Sequence, residues 1–342
     1  MRPTAANQLV GNPAKLQELP LSDLRNTLIR LEDTIIFGLI ERAQFKRNDV
    51  IYQPGAFEFT EECPAASLGL SFFSYFLWEQ EKLQAKVRRY QSPDEYPFFP
   101  GQLPDPILPP LNYPPTLHPN TVNINDRIMD VYLHSLIPQI CASGDDRHHG
   151  ASAVCDVDCL QNLSKRIHYG KFIAESKFRD PRYHATYVEL IRKRDTDGIM
   201  KLLTNSAVEQ KLLRRLRRKA VIYGQDLDEE EGENGAPAVA SQNCNGSAGS
   251  KGHMGEPSSA TPYAISQPLR TLPDLSDQAV KDDQMAAGLP SHTPSSSLSS
   301  SSSFHNAKIS PDVVVDLYEK YVIPLTKDVE VEYLLQRLDN AE

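Results

Sequence analysis

LSKRIHYGKFIAESKF, residues 163 to 178, sets six basic or titratable side chains among apolar ones. How that charge is disposed around a helix decides what kind of protein this is. At about 100° per residue, His168, Lys171 and Glu175 share one narrow stripe, while Ile167, Tyr169, Phe172, Ile173, Ala174 and Phe178 take most of the remaining circumference. The stripe reads as the solvent face. Arg166 and Lys177, about three turns apart, project together on the opposite side, with Gly170 and Ile173 on the line between them. Two cations therefore point inward and flank a position without a side chain, which leaves room for a ligand. An unpaired buried charge costs several kcal/mol, so either acidic side chains or an acidic small molecule must meet them.

Other segments repeat the arrangement. SDLRNTLIRLEDTIIFGLIERAQF, 22 to 45, opens with Ser22 as a cap and Leu21 as a staple. Its apolar stripe of Leu21, Leu28, Ile35, Ile36 and Leu39 encloses Arg25 and Glu32. In TNSAVEQKLLRRL, Asn205 and Glu209 share the face of Leu202, Leu212 and Leu216, opposite Arg214 and Arg218. In the last apolar segment Thr326 and Glu330 fall with Val322, Val329 and Tyr333 and away from Asp328 and Glu332, and Pro324 predicts a kink just before them. Each such charge taken singly reads as an ion-paired core residue. Gathered in one body, Arg25, Arg166, Lys177, Asn205, Glu209, Thr326 and Glu330 describe a pocket for a small polyanion that carries hydroxyl or ether oxygens.

Helical periodicity runs over 22–45, 67–90, 125–141, 153–178, 181–192, 195–204, 205–223 and 311–339, with no alternating β-branched runs joined by hairpin turns. The fold class is all-α, a multi-helix bundle. The segment QSPDEYPFFPGQLPDPILPPLNYPPTLHP, from 91, is too rich in proline for helix or central strand. Its Tyr96, Phe98, Phe99 and Tyr113 make it a long ordered loop that wraps the body.

The chain has 342 residues, 40% hydrophobic and 24% charged, with a net charge of −9. Residues 228–307 turn to Gly, Ser, Pro, Asn and acidic types, including PSSSLSSSSS at 294–303, and read as a disordered insert. Residues 1–227 then form the helical body, and 308–342 return as a helix completing the same domain. The longest apolar run, TIIFGLI at 34–40, is too short to cross a bilayer, and nothing resembles a signal peptide, which places the protein in the cytoplasm. Five cysteines, without a CxxC pair, fit reduced thiols. Cys155 and Cys159 downstream of His148 and His149 match no common zinc spacing, so no metal is expected. The acidic balance excludes nucleic acid despite the basic run KLLRRLRRK at 211–219, which reads as a wet helix face backed by Leu212, Leu213 and Leu216.

LRNTLIRLEDTIIFGLIERAQF, SPDEYPFFP, LSKRIHYGKFIAESKF, TNSAVEQKLL and PLTKDVEVEYLLQRLD together resemble the all-helical chorismate mutases of fungi and plants, over nearly the whole chain outside the insert. The Ser-rich insert departs from that pattern. The resemblance implies an isomerase that rearranges chorismate to prephenate, the committed step toward phenylalanine and tyrosine, with no cofactor. It carries over Arg25 and Arg166 as grips on the two carboxylates and Lys177 on the ether oxygen. Glu330 follows as a protonated partner of that oxygen, Asn205 and Glu209 as holders of the ring hydroxyl, and Thr326 as support for a carboxylate. It further implies a homodimer activated by tryptophan and inhibited by tyrosine at the subunit interface. The matching residues there are Arg88, Arg89, Gly150 and Ala151, the last standing where the family has serine, with Ser152 following. Without the resemblance, Arg88 and Arg89 read as exposed cations at a helix end near its negative dipole. The rival class is a non-catalytic helical adaptor derived from a mutase.

Overall fold

The computed structural model describes residues 19–60, 68–111, 115–224 and 308–339, all of which fall in one folded unit. The proposed insert over 228–307 and Tyr113 lie outside the described residues. Among those described, every regular element is helical, as periodicity predicts. The α-helices of seven residues or more are, in chain order, α1 (Leu21–Ala43), α2 (Phe72–Lys86), α3 (Asn125–Val131), α4 (His149–His168), α5 (Gly170–Phe178), α6 (His184–Lys193), α7 (Thr196–Leu203), α8 (Ser206–Gly224), α9 (Pro311–Leu317) and α10 (Ile323–Leu335).

Helices α4 and α5 run on from one another, interrupted only at Tyr169, and form the axis of the molecule. Against α4 pack α1, α2 and α3; α10 lies along both α4 and α5, and α8 pairs with α9 and α1. The reason is visible in the burial: Val157, Leu160, Leu163 and Ile167 are at most 2% exposed, and so is Ala174 on the next helix. At about 25 cal/mol per Å² of apolar area, such an axis supplies much of the drive to fold.

One expectation fails outright. The stripe of His168, Lys171 and Glu175 is not the solvent face, for none of the three is more than 1% exposed. The proline-rich segment and α10 cover it. His168 Nε2 accepts the Ile124 N–H at 3.0 Å, so the proton sits on Nδ1, which donates to the Ser164 carbonyl at 2.8 Å. The Lys171 ammonium donates to the Val122 carbonyl and stands 3.9 Å from the centre of the Tyr96 ring. Glu175 accepts from Tyr333 Oη at 2.6 Å and from Arg179 and Arg337. Burial pushes His168 down to about 3 and Lys171 down to about 7. A helical wheel locates a polar stripe; it does not say whether water or another segment's carbonyls will face it.

The wrap is ordered because its backbone is held. Glu81, itself buried, accepts the Phe98 and Phe99 N–H groups at 2.7 and 2.9 Å. Lys165 bridges Asp94 at 2.9 Å and Glu95 at 2.7 Å. Asn125 donates to the Tyr96 and Pro97 carbonyls.

Smaller corrections share one cause, local backbone choice. Pro20, not Ser22, occupies the cap position of α1, without a side-chain cap, and Ser22 is already helical. Pro324 is met by a π-turn over Tyr318–Val322, and Pro138 likewise by one over Tyr132–Leu136. A widened turn ahead of the ring relieves the clash with the preceding carbonyl that a proline imposes. The basic run is only partly wet. Arg214 and Arg218 are exposed, whereas Arg215 turns in to Glu32 at 2.6 Å and Lys219 to Glu32 and Asp33 at 3.3 and 2.7 Å. Glu32 on α1 is thereby paired and fully buried.

Candidate active site

Arg166, at the end of α4, and Lys177, at the end of α5, meet the same stretch of α10. Arg166 Nη1 lies 3.4 Å from Thr326 Oγ1, and Lys177 Nζ lies 3.4 Å from Glu330 Oε2. Lys177 also donates to the Leu203 carbonyl at 2.8 Å, which ties the cation to the end of α7. Thr326 Oγ1 donates in turn to the carbonyl of Val322, the last residue of the π-turn, at 2.6 Å. Arg166 is 3% exposed, and its Nε is buried with no hydrogen-bond partner among the described residues. The Tyr318 hydroxyl, beside it, is likewise buried and unpartnered, with the Arg166 guanidinium 5.8 Å over the Tyr318 ring. Buried donors without partners are rare in folded proteins, and two side by side mark a place where a polar guest completes the bonding.

The carboxyl of Glu330 is raised above the ordinary carboxylate range, first by burial, with Lys177, Arg166 and Lys327 pulling the other way. Desolvation wins because the Lys177 contact is long at 3.4 Å and the hydrogen bond of Arg166 goes to Thr326, not to the carboxyl. The site therefore holds two cations against one carboxyl, which is net positive whether or not that carboxyl is ionised and is suited to an anion.

Gly170 belongs here for a different reason from the one periodicity suggests. The space above it is not open. A Cβ at residue 170 would stand 2.9 Å from the Thr326 carbonyl oxygen, 3.0 Å from Thr326 Cγ2 and 3.2 Å from Glu330 Cγ. Glycine lets α10 approach the central column closely enough to place Thr326 and Glu330 against the two cations. Gly170→Ala is expected to lower stability by about 1–3 kcal/mol and activity by roughly tenfold or more, because a carbonyl on a packed helix has to retreat. Thermal melts and a rate assay measure the two losses, and an alanine variant with unchanged rate removes Gly170 from the site's design.

The remaining candidates stand farther out. Glu209 is half-buried and pairs with Lys327 Nζ at 2.8 Å, which joins α8 to α10 next to Thr326. Asn205 is exposed, against the expectation that it faces the core, and its Oδ1 accepts the Val208 N–H at 3.2 Å, serving as the cap of α8. Arg25, expected inside the stripe of α1, is exposed on the first turn and makes no ion pair with another described residue. So Arg166, Lys177, Thr326 and Glu330 are brought together, Glu209 is linked to them through Lys327, and Arg25 and Asn205 are not in contact with the group. Nothing in the sequence singles out Tyr318 or Lys327, since an aromatic and a lysine in the last helical segment look like ordinary core and surface.

The second group of candidates lies at the end of α2. Arg88 has left-handed φ of 70° and donates to the Pro109 carbonyl. Arg89 joins Glu95 at 3.0 Å and Gln161 of α4 at 2.6 Å. Neither is a free cation at a helix end. Gly150 and Ala151 are exposed at the start of α4, while Ser152 is fully buried and accepts from Asn48 Nδ2 at 2.9 Å.

No family model matches the chain. Individual proteins do. It is 39% identical over 328 residues to the chorismate mutase of Trichoderma parareesei, covering 94% of each chain. Its fold superposes with a TM-score of 0.68 on the Aro7p chorismate mutase of Candida albicans in complex with L-Trp, at 32% identity, covering 97% of this chain and 95% of that one. It superposes with a TM-score of 0.65 on AtCM1 with tyrosine bound in its allosteric site, at 36% identity and with 93% and 96% covered.

Proposed function

The chain belongs to the chorismate mutases of fungi and plants, and on that premise we propose that the group around Arg166 is the centre where chorismate becomes prephenate. The observation that carries this reading is the convergence of two cations, Arg166 and Lys177, on Thr326 and a desolvated Glu330, with a buried guanidinium nitrogen left unpaired.

The chemistry asks for little else. One C–O bond breaks and one C–C bond forms within a single molecule, so the protein's task is to hold and to polarise. Arg166 grips one carboxylate in a two-point fork, its unpaired Nε supplying a donor, with Thr326 beside it. Arg25, exposed near the start of α1, is the second grip, closing on the other carboxylate once the substrate is present. Holding the enolpyruvyl arm over the ring supplies several kcal/mol of the barrier reduction. Lys177, anchored by the Leu203 carbonyl, faces the ether oxygen as negative charge gathers there, and one such preorganised donor is worth about 3 kcal/mol. Glu330, protonated, donates to the same oxygen. Glu209, with Asn205 beside it, takes the ring hydroxyl.

Tryptophan activates and tyrosine inhibits through Arg88, Arg89 and the exposed turn at Gly150 and Ala151; Ser152, turned inward to Asn48, is not the residue an effector meets first. Arg89 supports this reading because it already links the end of α2 to Gln161 on α4, the helix that ends in Arg166. The exposed apolar residues Leu83, Val87, Ile107 and Val154 around this end support a homodimer. No helix among the described residues is long and apolar enough to cross a membrane, and the reading includes a cytoplasmic location.

Purified protein added to chorismate is expected to remove its ultraviolet absorbance, faster with tryptophan and slower with tyrosine. No loss of absorbance leaves the adaptor reading in place. Loss that neither amino acid alters removes the effector site alone.

A further inference from the structure

Lys327 follows Thr326 directly and precedes Glu330 by one turn, yet its side chain does not run out to water. It crosses to α8, where Nζ stands 2.8 Å from Glu209 Oε1, with the two side chains 22% and 28% exposed. Lys327 is the only ion-pair partner of Glu209 among the described residues. We propose that Lys327 is a positioning residue of this site, holding the Glu209 carboxylate in place as the acceptor for the hydroxyl on the substrate's ring.

The inference rests on the reading above and follows from charge balance. A pocket that takes a doubly anionic substrate has every reason to avoid a carboxylate, since like charges at close range disfavour binding. Glu209 is tolerable there only if a cation that does not bind the substrate's carboxylates neutralises it locally. Arg166 and Lys177 are committed to Thr326, Leu203 and Glu330; Lys327 is not. An ordinary exposed lysine–glutamate pair is worth little, but this one ties the acceptor's helix to the helix that carries Thr326 and Glu330. The same ammonium also acts on Glu330, which faces Arg166 from α4, Lys177 from α5, Tyr187 from α6 and Lys327 from its own helix.

The test is a double-mutant cycle with Lys327→Met and Glu209→Gln, alongside Lys327→Arg. Lys327→Met is expected to raise KM for chorismate by about tenfold with a smaller change in kcat, and Lys327→Arg to restore KM to within about threefold. The double variant should lose no more than Glu209→Gln alone, because the lysine acts through that carboxylate. In Lys327→Met the alkaline fall of kcat should move to higher pH, since Glu330 loses a nearby positive charge. Additive losses in the double variant, or a methionine variant with wild-type KM and an unmoved alkaline limb, overturn the proposal. Should Lys327→Met fail to fold, an arginine variant with impaired KM overturns it equally. Failure of the wild-type protein to consume chorismate is a separate result, and it strikes the reading on which the proposal rests.

Discussion

Arg166→Met is expected to lower kcat/KM for chorismate by about a thousandfold while leaving the melting temperature level or higher. The two halves of that expectation come from one observation. Arg166 is almost fully buried, its Nε has no partner, and its Nη1 reaches only a threonine hydroxyl at 3.4 Å. A guanidinium held like this has given up water without gaining a carboxylate in return, so in the empty protein it costs stability, and an unbranched apolar chain of similar length removes that cost. On the proposed reading, the same group in the bound protein receives a carboxylate and holds the substrate for reaction. Arg166→Lys is expected to recover only a small part of the rate, because a single ammonium lacks the two-point fork. Rates on chorismate and thermal melts of the three proteins decide it. A methionine variant that keeps more than a tenth of the activity, or one that melts far lower with activity lost, would place Arg166 among the structural ion pairs instead.

What could be read from the chain alone divides by physical type. Apolar period located every α-helix of the described body, and the inward direction of Arg166 and Lys177 followed from their spacing, because helix geometry is local. What covered the opposite stripe did not follow. His168, Lys171 and Glu175 are polar residues served by an amide N–H, a carbonyl and a hydroxyl from segments 40 residues or more away, those of Ile124, Val122 and Tyr333, and no local pattern encodes such partners. The buried hub around Arg42 escaped notice for the same reason. Its guanidinium meets Asp156 at 2.6 Å, Tyr52 at 3.2 Å and the Cys141 sulfur at 3.1 Å, and Tyr132 adds a bond to Asp156 at 2.7 Å. In sequence Arg42 is one basic residue at a helix end. Arg25 and Asn205 err in the other direction, since a wheel that places them with apolar neighbours does not register that the first turn of α1 and the cap of α8 stand at the edge of the packed body.

The second large effect concerns Glu330 and is one of pH. A carboxylate near an oxygen that is gaining negative charge would oppose the reaction, so the proposed role requires Glu330 to be protonated, and its burial pushes it toward that form. Substrate pushes further, for one incoming carboxylate engages the Arg166 charge that otherwise favours ionisation, and the other adds negative charge of its own. Since the protonated form is active, kcat holds below the pKa of Glu330 in the complex and falls about tenfold per pH unit above it. Glu330→Gln carries a donor that does not titrate over this range. Its rate is expected to lie below wild type at acid pH, where a carboxylic acid is the stronger donor, and to exceed it on the alkaline side, where the two curves cross. Any decline that persists in the glutamine variant belongs to another group. Rate profiles of the two proteins, taken at saturating chorismate, are the measurement, and coincident alkaline limbs would show that the proton on Glu330 plays no part in the step.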